Sequence, residues 1–190
     1  MLNFNAELIG SEDIKRNQRA AEMASDDGYF RRIFPPHEMF GAVDRAHSGS
    51  SFEYVVFKDA VDTSKCAGNL WIPRLWVYGR LEFTLHWGGP TGSTNPVRWN
   101  LVANSLALSE NYTTGSQLST TEDFAGPAVA STWKKNSFVS TLQVNADDEL
   151  VGWTLNRLGT HANDTYANEA HLLAVVLKFI PAVTEAHRVV

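Results

Sequence analysis

The chain has 190 residues, a net charge of −5 and 44% apolar residues, with six tryptophans and ten phenylalanines. This length and apolar content predict one ordinary domain, or one domain with an arm. The mild acidity argues against non-specific nucleic-acid binding, and the single cysteine, Cys66, excludes an internal disulfide framework. Because neither a signal peptide nor a membrane-spanning apolar run is evident, we expect a soluble chain made in the cytoplasm.

Residues 1–50 differ from the rest and predict an N-terminal arm. Ser11 can cap a polar helix that continues to Met23, either a solvated surface helix or one ordered mainly by a partner. The aromatic and basic run 29–34 ends at two prolines and resembles a docking segment or a cover strand. The side chains expected to bind a partner are Arg16, Arg19, Tyr29, Phe30, Arg31, Arg32 and Phe34.

Residues 51–190 have the pattern of a β-domain. Apolar and polar side chains alternate in segments that predict strands: 52–57, 75–87, 97–104, 127–133, 138–144, 150–158 and 171–180. Turn-forming or polar residues predict connections at 59–69, 111–123 and 134–137. About eight strands with long loops, and no helix beyond the arm, predict an all-β fold, a jelly-roll-like β-sandwich.

Two outward-facing groups predict a subunit interface. The last strand is apolar on both faces, so its outer face must meet a neighbouring subunit or the arm. Trp76 and Tyr78 point outward from the long strand and can enter a subunit contact, stack on a sugar, or be covered by the arm. Of these alternatives we expect the contact, formed by Trp76, Tyr78, Leu172 and Val176.

Arg157 lies at the end of a strand, on the same face as Val151, Trp153 and Leu155. A guanidinium that is partly buried there needs a partner, and Asp164 is the nearest good candidate. The pattern therefore predicts a structural pair between Arg157 and Asp164 at the rim of the sandwich.

We expect no enzyme, no catalytic residues, no cofactor and no metal site. His161, Asp164, Glu169 and His171 match no metal-binding spacing and are typical of an ordinary polar loop. Paired acidic residues fall in predicted turns, and neither a nucleophile elbow nor a phosphate-binding loop is found.

Several segments together resemble the jelly-roll domains of tailed-bacteriophage virion proteins. They are 71–76, the strand ending at Trp87, the strand around Trp99, 153–157 with 164–166, and 171–175. The resemblance covers roughly residues 52–180. It implies a non-enzymatic structural or adhesive role, in a head decoration protein, a head fibre or a tail-fibre tip, commonly as a trimer.

The short chain and its basic arm favour a capsid decoration (cement) protein. Such a protein would sit on the virion surface as a homotrimer, bind the major capsid protein and stabilise the assembled head by mass action. The alternative is a phage fibre or host-adhesion module that binds carbohydrate through Trp76, Tyr78 and the long loops. Neither function involves nucleic acid or a membrane.

Overall fold

The computed structural model describes residues 30–48, 52–72, 78–108, 110–111 and 116–182. Within these ranges the chain is all-β, with two antiparallel sheets that form a sandwich, and it contains no α-helix. The predicted fold class is confirmed. The helix predicted for the arm lies outside the described residues, among which no helix is long and apolar enough to cross a membrane.

The described part of the chain contains twelve strands rather than about eight. In chain order they are β1 (Phe30–Phe34), β2 (Phe40–Ala42), β3 (Asp44–Ser48), β4 (Phe52–Phe57), β5 (Lys65–Trp71), β6 (Gly79–Gly88), β7 (Pro96–Ala107), β8 (Ser116–Ala125), β9 (Trp133–Ser137), β10 (Leu142–Val144), β11 (Asp148–Arg157) and β12 (Ala170–Pro181). A short 3-10 turn, Pro36–Glu38, lies between β1 and β2.

Each sheet is built around one of the two closing strands. Sheet A has the order β10-β6-β12-β4-β3, with β1 paired to β12 and β9 paired to β6. Sheet B has the order β2-β5-β11-β7-β8. The strands β11 and β12, which have the clearest apolar patterns, therefore lie in the centres of the two sheets.

Aromatic rings fill the core between the sheets. Trp99 of sheet B packs edge-on against Trp87 and Phe57 of sheet A, with ring centroids 5.7 Å and 4.9 Å away. Such edge-to-face pairs add to the free energy gained by burying the rings. The alternation in these strands follows from the fold, since every second side chain enters this core.

Three predicted connections and one predicted strand are wrong. Strand β5 lies where a turn was predicted, because its inward residues include the small Cys66 and Gly68 and gave no apolar alternation. Strand β8 lies in a predicted loop, where its Ser and Thr residues pair in register with β7. The segment 127–132 contains no strand, and β9 begins at Trp133 and occupies the predicted turn 134–137.

Residues 30–48, predicted as part of the arm, contribute strands to both sheets. Strand β1 pairs with β12, β2 with β5, and β3 with β4. Within β1, Phe34 is only 3% exposed and its ring packs edge-on against Trp153, 5.3 Å away. Phe34 is therefore not available to a partner, which corrects its predicted role in docking.

A β-bulge in β12 changes which side chains face outward. The register with β6 shifts between Leu172 and Ala174, so the alternation of inward and outward side chains is displaced by one residue after this point. Leu172 therefore joins Val175 in the core, whereas Val176 lies on the outer face and is half-buried. The prediction that Leu172 and Val176 share an outer interface is corrected for Leu172.

Candidate functional site

The outer face of sheet B carries amides, hydroxyls and an exposed indole. Four neighbouring strands place one residue each in a row across the sheet: Asn69 on β5, Gly152 on β11, Asn104 on β7 and Gln117 on β8. We call these four residues the amide row. Amide groups both donate and accept hydrogen bonds, so the row can bind a ligand that presents both kinds of group.

Trp71 lies beside the amide row, two residues beyond Asn69 on the same face of β5. Its indole is 61% exposed, and its register partner Leu150 pairs in turn with Leu106. Residues two apart along neighbouring strands are roughly 7–8 Å apart, within reach of an aromatic side chain. Trp71 and the amide row together form what we call the amide face.

Gly152 makes the centre of the amide face flat. A Cβ atom at this position would meet only Asn69 Oδ1, at 3.3 Å, so the space above the backbone is open. The strand interior otherwise disfavours glycine, which often marks a close approach of another molecule to the backbone. The face therefore has an open floor between two amide side chains.

Asn104 has an amide oxygen without a hydrogen-bond donor. Its Oδ1 is buried and makes no hydrogen bond among the described residues. A buried acceptor without a donor costs on the order of 1–3 kcal/mol. If the Asn104 amide rotates toward a bound hydroxyl group, no existing hydrogen bond to its Oδ1 is broken.

Two charged side chains on the same face, Arg98 and Asp123, are paired with each other. Arg98 Nη1 donates to both carboxylate oxygens of Asp123, at 2.8 and 2.9 Å. Asn163 Nδ2 also donates to Asp123 Oδ2, at 3.2 Å. This pair lies at the far end of β7 from Asn104, so the charges stay away from the amide row.

Sequence reasoning did not identify the amide face. Trp71 was noted only as a marker of the resemblance, and Asn69 was assigned to a turn. The available signal was the position of Trp71 between the apolar residues Leu70 and Ile72, which places its ring on the opposite side of an extended chain from theirs. Because residues 59–69 were predicted as a connection and not as a strand, the outward position of Trp71 could not be placed on a sheet face next to Asn69.

The outward aromatic residue Tyr78 lies at a pocket in sheet A. Its side chain is 49% exposed, and the pocket has a volume of about 340 Å³. Its floor includes Gln143, whose Nε2 donates to the carbonyl oxygen of Gly79 at 2.7 Å. The remaining lining residues are Arg80, Ile180, Pro181 and Ala182. Trp76, predicted beside Tyr78, lies outside the described residues.

The predicted docking residues are only partly described. Arg16, Arg19 and Tyr29 lie outside the described ranges. Arg32 forms an ion pair with Glu38, and its guanidinium carbon lies 5.3 Å from the centroid of the Phe34 ring. Phe30 packs partly against the core, and Arg31 is half-buried in β1. The described part of the docking segment is thus a strand of sheet A.

Arg157 and Asp164 form an ion pair at the rim of the sandwich. Arg157 Nε donates to Asp164 Oδ2 at 2.8 Å, and Nη2 donates to Oδ1 at 2.6 Å. Nη2 also donates to Asp59 Oδ1 at 3.0 Å, and Nη1 donates to the carbonyl oxygen of Asn168 at 2.5 Å. Both side chains of the pair are fully buried. This network ties the loop after β11 to the core.

An aromatic cluster lies on the outer face of sheet A. His171 stacks on Tyr54 with ring centroids 4.3 Å apart, and Tyr54 lies 6.3 Å from Trp133. Burial lowers the pKa of His171, although Glu169 Oε2, 3.7 Å from its Nε2, opposes the shift. No group of three or more potential metal-binding side chains occurs in the part of the chain that the structure describes.

No protein-family model and no curated protein matches the chain. Among solved structures it is similar to a family 35 carbohydrate-binding module from Clostridium thermocellum, with a TM-score of 0.52, 11% identity, and coverage of 80% of this chain and 98% of that one. It is also similar to the isomalto-dextranase of Arthrobacter globiformis T6 complexed with panose (TM-score 0.52, 14% identity, 77% of this chain and 23% of that chain). The mosquito-larvicidal Cry4Aa toxin of Bacillus thuringiensis matches with a TM-score of 0.52 at 10% identity, over 80% of this chain and 24% of the toxin.

At these identities the similarity establishes the β-sandwich fold, and the neighbours include modules named for carbohydrate binding. The resemblance to phage virion proteins gains no support from these neighbours. The capsid partner, the trimer and the location on a virion therefore stay predictions.

Proposed function

We propose that this domain binds carbohydrate, without catalysis, through the amide face. The observation that carries the proposal is the exposed indole of Trp71 beside an uncharged row of amides. A sugar ring has C–H groups on its faces and hydroxyl groups around its edge. An aromatic ring packs against the first, and amides both donate to and accept from the second.

The fold supports the same function. The family 35 carbohydrate-binding module from Clostridium thermocellum matches over nearly its full length, as a separate domain. The match to the Cry4Aa toxin shows why the fold alone is not sufficient, because one fold can carry several functions. The chemistry of the amide face therefore carries the assignment, and the fold is consistent with it.

Binding without catalysis fits the side chains of the face. Glycoside hydrolysis needs two carboxyl groups placed across the scissile bond. Asp123 accepts from Arg98 Nη1 through both of its carboxylate oxygens, and the amide row contributes no acid. The face thus offers hydrogen bonds and a stacking surface to a sugar.

The test is a glycan array followed by calorimetry of the hits with native protein and Trp71→Ala. We expect the substitution to weaken binding at least about tenfold, which corresponds to about 1.4 kcal/mol, because the stacking surface is lost. The matched control is Trp133→Ala, which removes a 40% exposed tryptophan from the outer face of sheet A. This control should bind as tightly as the native protein.

A third variant, Tyr78→Ala, separates the two candidate surfaces. If it abolishes glycan binding while Trp71→Ala does not, carbohydrate binding stands and its site moves to the Tyr78 pocket. A native protein that binds no glycan on the array or by calorimetry would contradict the proposed function itself.

A further inference from the structure

We infer that the amide face takes a neutral, extended glycan that lies across the strands, from Trp71 on β5 to Gln117 on β8. This inference rests on the proposed function and adds the class of ligand and the direction of its chain. It is carried by the register of the four strands, the uncharged row and the open position above Gly152.

The length of the row requires more than one sugar unit. Three spacings between neighbouring strands separate Asn69 from Gln117, which amounts to about 14 Å. A single sugar ring stacked on Trp71 of β5 cannot also reach Gln117 on β8. An extended chain that crosses the strands contacts all four positions.

The row favours a neutral ligand. On β5 the charged residue is Lys65, four residues and roughly 13 Å from Asn69. On β11 the acid Glu149 adjoins Leu150, the register partner of Trp71, and would repel a negatively charged sugar there. The cation on β7, Arg98, is neutralised by Asp123. A carboxylate on the sugar would find amide donors on the row, but no cation to offset the loss of its hydration.

Gly152 allows the glycan to cross the centre of the sheet. The neighbouring residues of the row, Asn69 and Asn104, carry amide side chains, whereas at Gly152 the glycan can contact the protein backbone directly. A larger side chain there would stand between Asn69 and Asn104 and lift the ligand away from both amides. The added Cβ would meet only the end of the Asn69 side chain, so the fold can accept it.

The first experiment measures calorimetric affinity against chain length and charge. Neutral cello-, xylo-, manno- and malto-oligosaccharides, from monosaccharide to hexasaccharide, are compared with an oligogalacturonate of the same length as the hexasaccharides. For at least one neutral series we expect the hexasaccharide to bind at least about tenfold more tightly than the monosaccharide. The oligogalacturonate should bind more weakly than that hexasaccharide.

The second experiment uses Gly152→Val. We expect at least about tenfold weaker binding of the best hexasaccharide, with a melting temperature equal to or above that of the native protein, because valine favours a strand. The control is Thr154→Val, which places the same side chain two residues along β11, outside the amide row. This control should bind normally.

The outcomes separate the inference from the proposed function. Binding that is sensitive to Trp71→Ala but equal for monosaccharide and hexasaccharide, or unchanged in Gly152→Val, would overturn the extended path alone. Preference for the oligogalacturonate would overturn neutrality alone. No binding of any neutral or acidic glycan would refute the proposed function, and the inference with it.

Discussion

Arg157 is a cation in the core whose charge is balanced mainly by one loop. Asp164 accepts from two of its nitrogens, and its Oδ2 also accepts from the backbone N–H of Arg98 at 3.1 Å. Removing the charge of Asp164 would leave a buried guanidinium without its main partner. We therefore expect Asp164→Asn to lower the free energy of unfolding by about 3–5 kcal/mol, measured by urea denaturation near neutral pH.

The matched control for this prediction is Asp59→Asn, which removes a second, partly exposed acceptor of the same arginine. Its effect should be clearly smaller, because water can replace the exposed partner. An unchanged unfolding free energy in Asp164→Asn would show that the pair positions the loop without stabilising the fold.

The histidines of sheet A make stability depend on pH. Burial lowers the pKa of His171 and of His86 below their ordinary value of 6.5, and Lys135 adds to the shift at His86. The unfolded chain therefore binds more protons than the folded chain just below pH 6.5. Since stability rises with pH wherever the unfolded state binds more protons, it is highest above that value and falls as the pH decreases through it.

We expect His171→Gln to lose part of this pH dependence. The unfolding free energy of the native protein and the variant would be compared between about pH 7.5 and pH 5.5, where histidine titrates. The native protein should lose more stability than the variant on acidification. Equal losses would assign the pH dependence to other groups, and Glu53→Gln serves as a control for a carboxyl group on the same sheet.

The sequence predicts a strand well where that strand buries large side chains on one face. Strands β6, β7 and β11 carry such alternation and could be predicted. Strands β5, β8 and β9 bury small or few side chains and carry Gly, Asn, Ser or Thr residues that also favour turns. Their strand conformation comes from pairing with neighbours distant in sequence, which local patterns do not encode.

The same limit applies to the candidate site. The pair of Arg157 and Asp164 could be predicted because the two residues lie close in sequence and have complementary charges. The amide face depends on the register of β5, β11 and β7, whose residues come from separate parts of the chain. The bulge in β12 likewise places Leu172 in the core, and the apolar pattern of this strand does not indicate where the bulge occurs.

The two outer faces of the whole sandwich differ in chemistry. Sheet B presents the amide face. Sheet A presents the 56% exposed Ile33, which pairs in register with Val176, beside the charged residues Arg31, Lys178 and Glu82. A subunit interface formed by sheet A would leave the amide face free. Association and ligand binding can then occur on opposite sides of one domain.

The expected trimer and this difference between the faces can be tested together. We expect light scattering to give a native mass of three chains of 21.1 kDa, and Ile33→Glu to reduce it to one chain by placing a charge beside Val176 in the predicted contact. Trp71→Ala should leave the mass unchanged. Three amide faces on one particle would bind polymeric glycan more tightly than one face does, so Ile33→Glu should weaken binding to the polymer but not to an oligosaccharide. A native mass of one chain would contradict the trimer, and carbohydrate binding would then act through a single face.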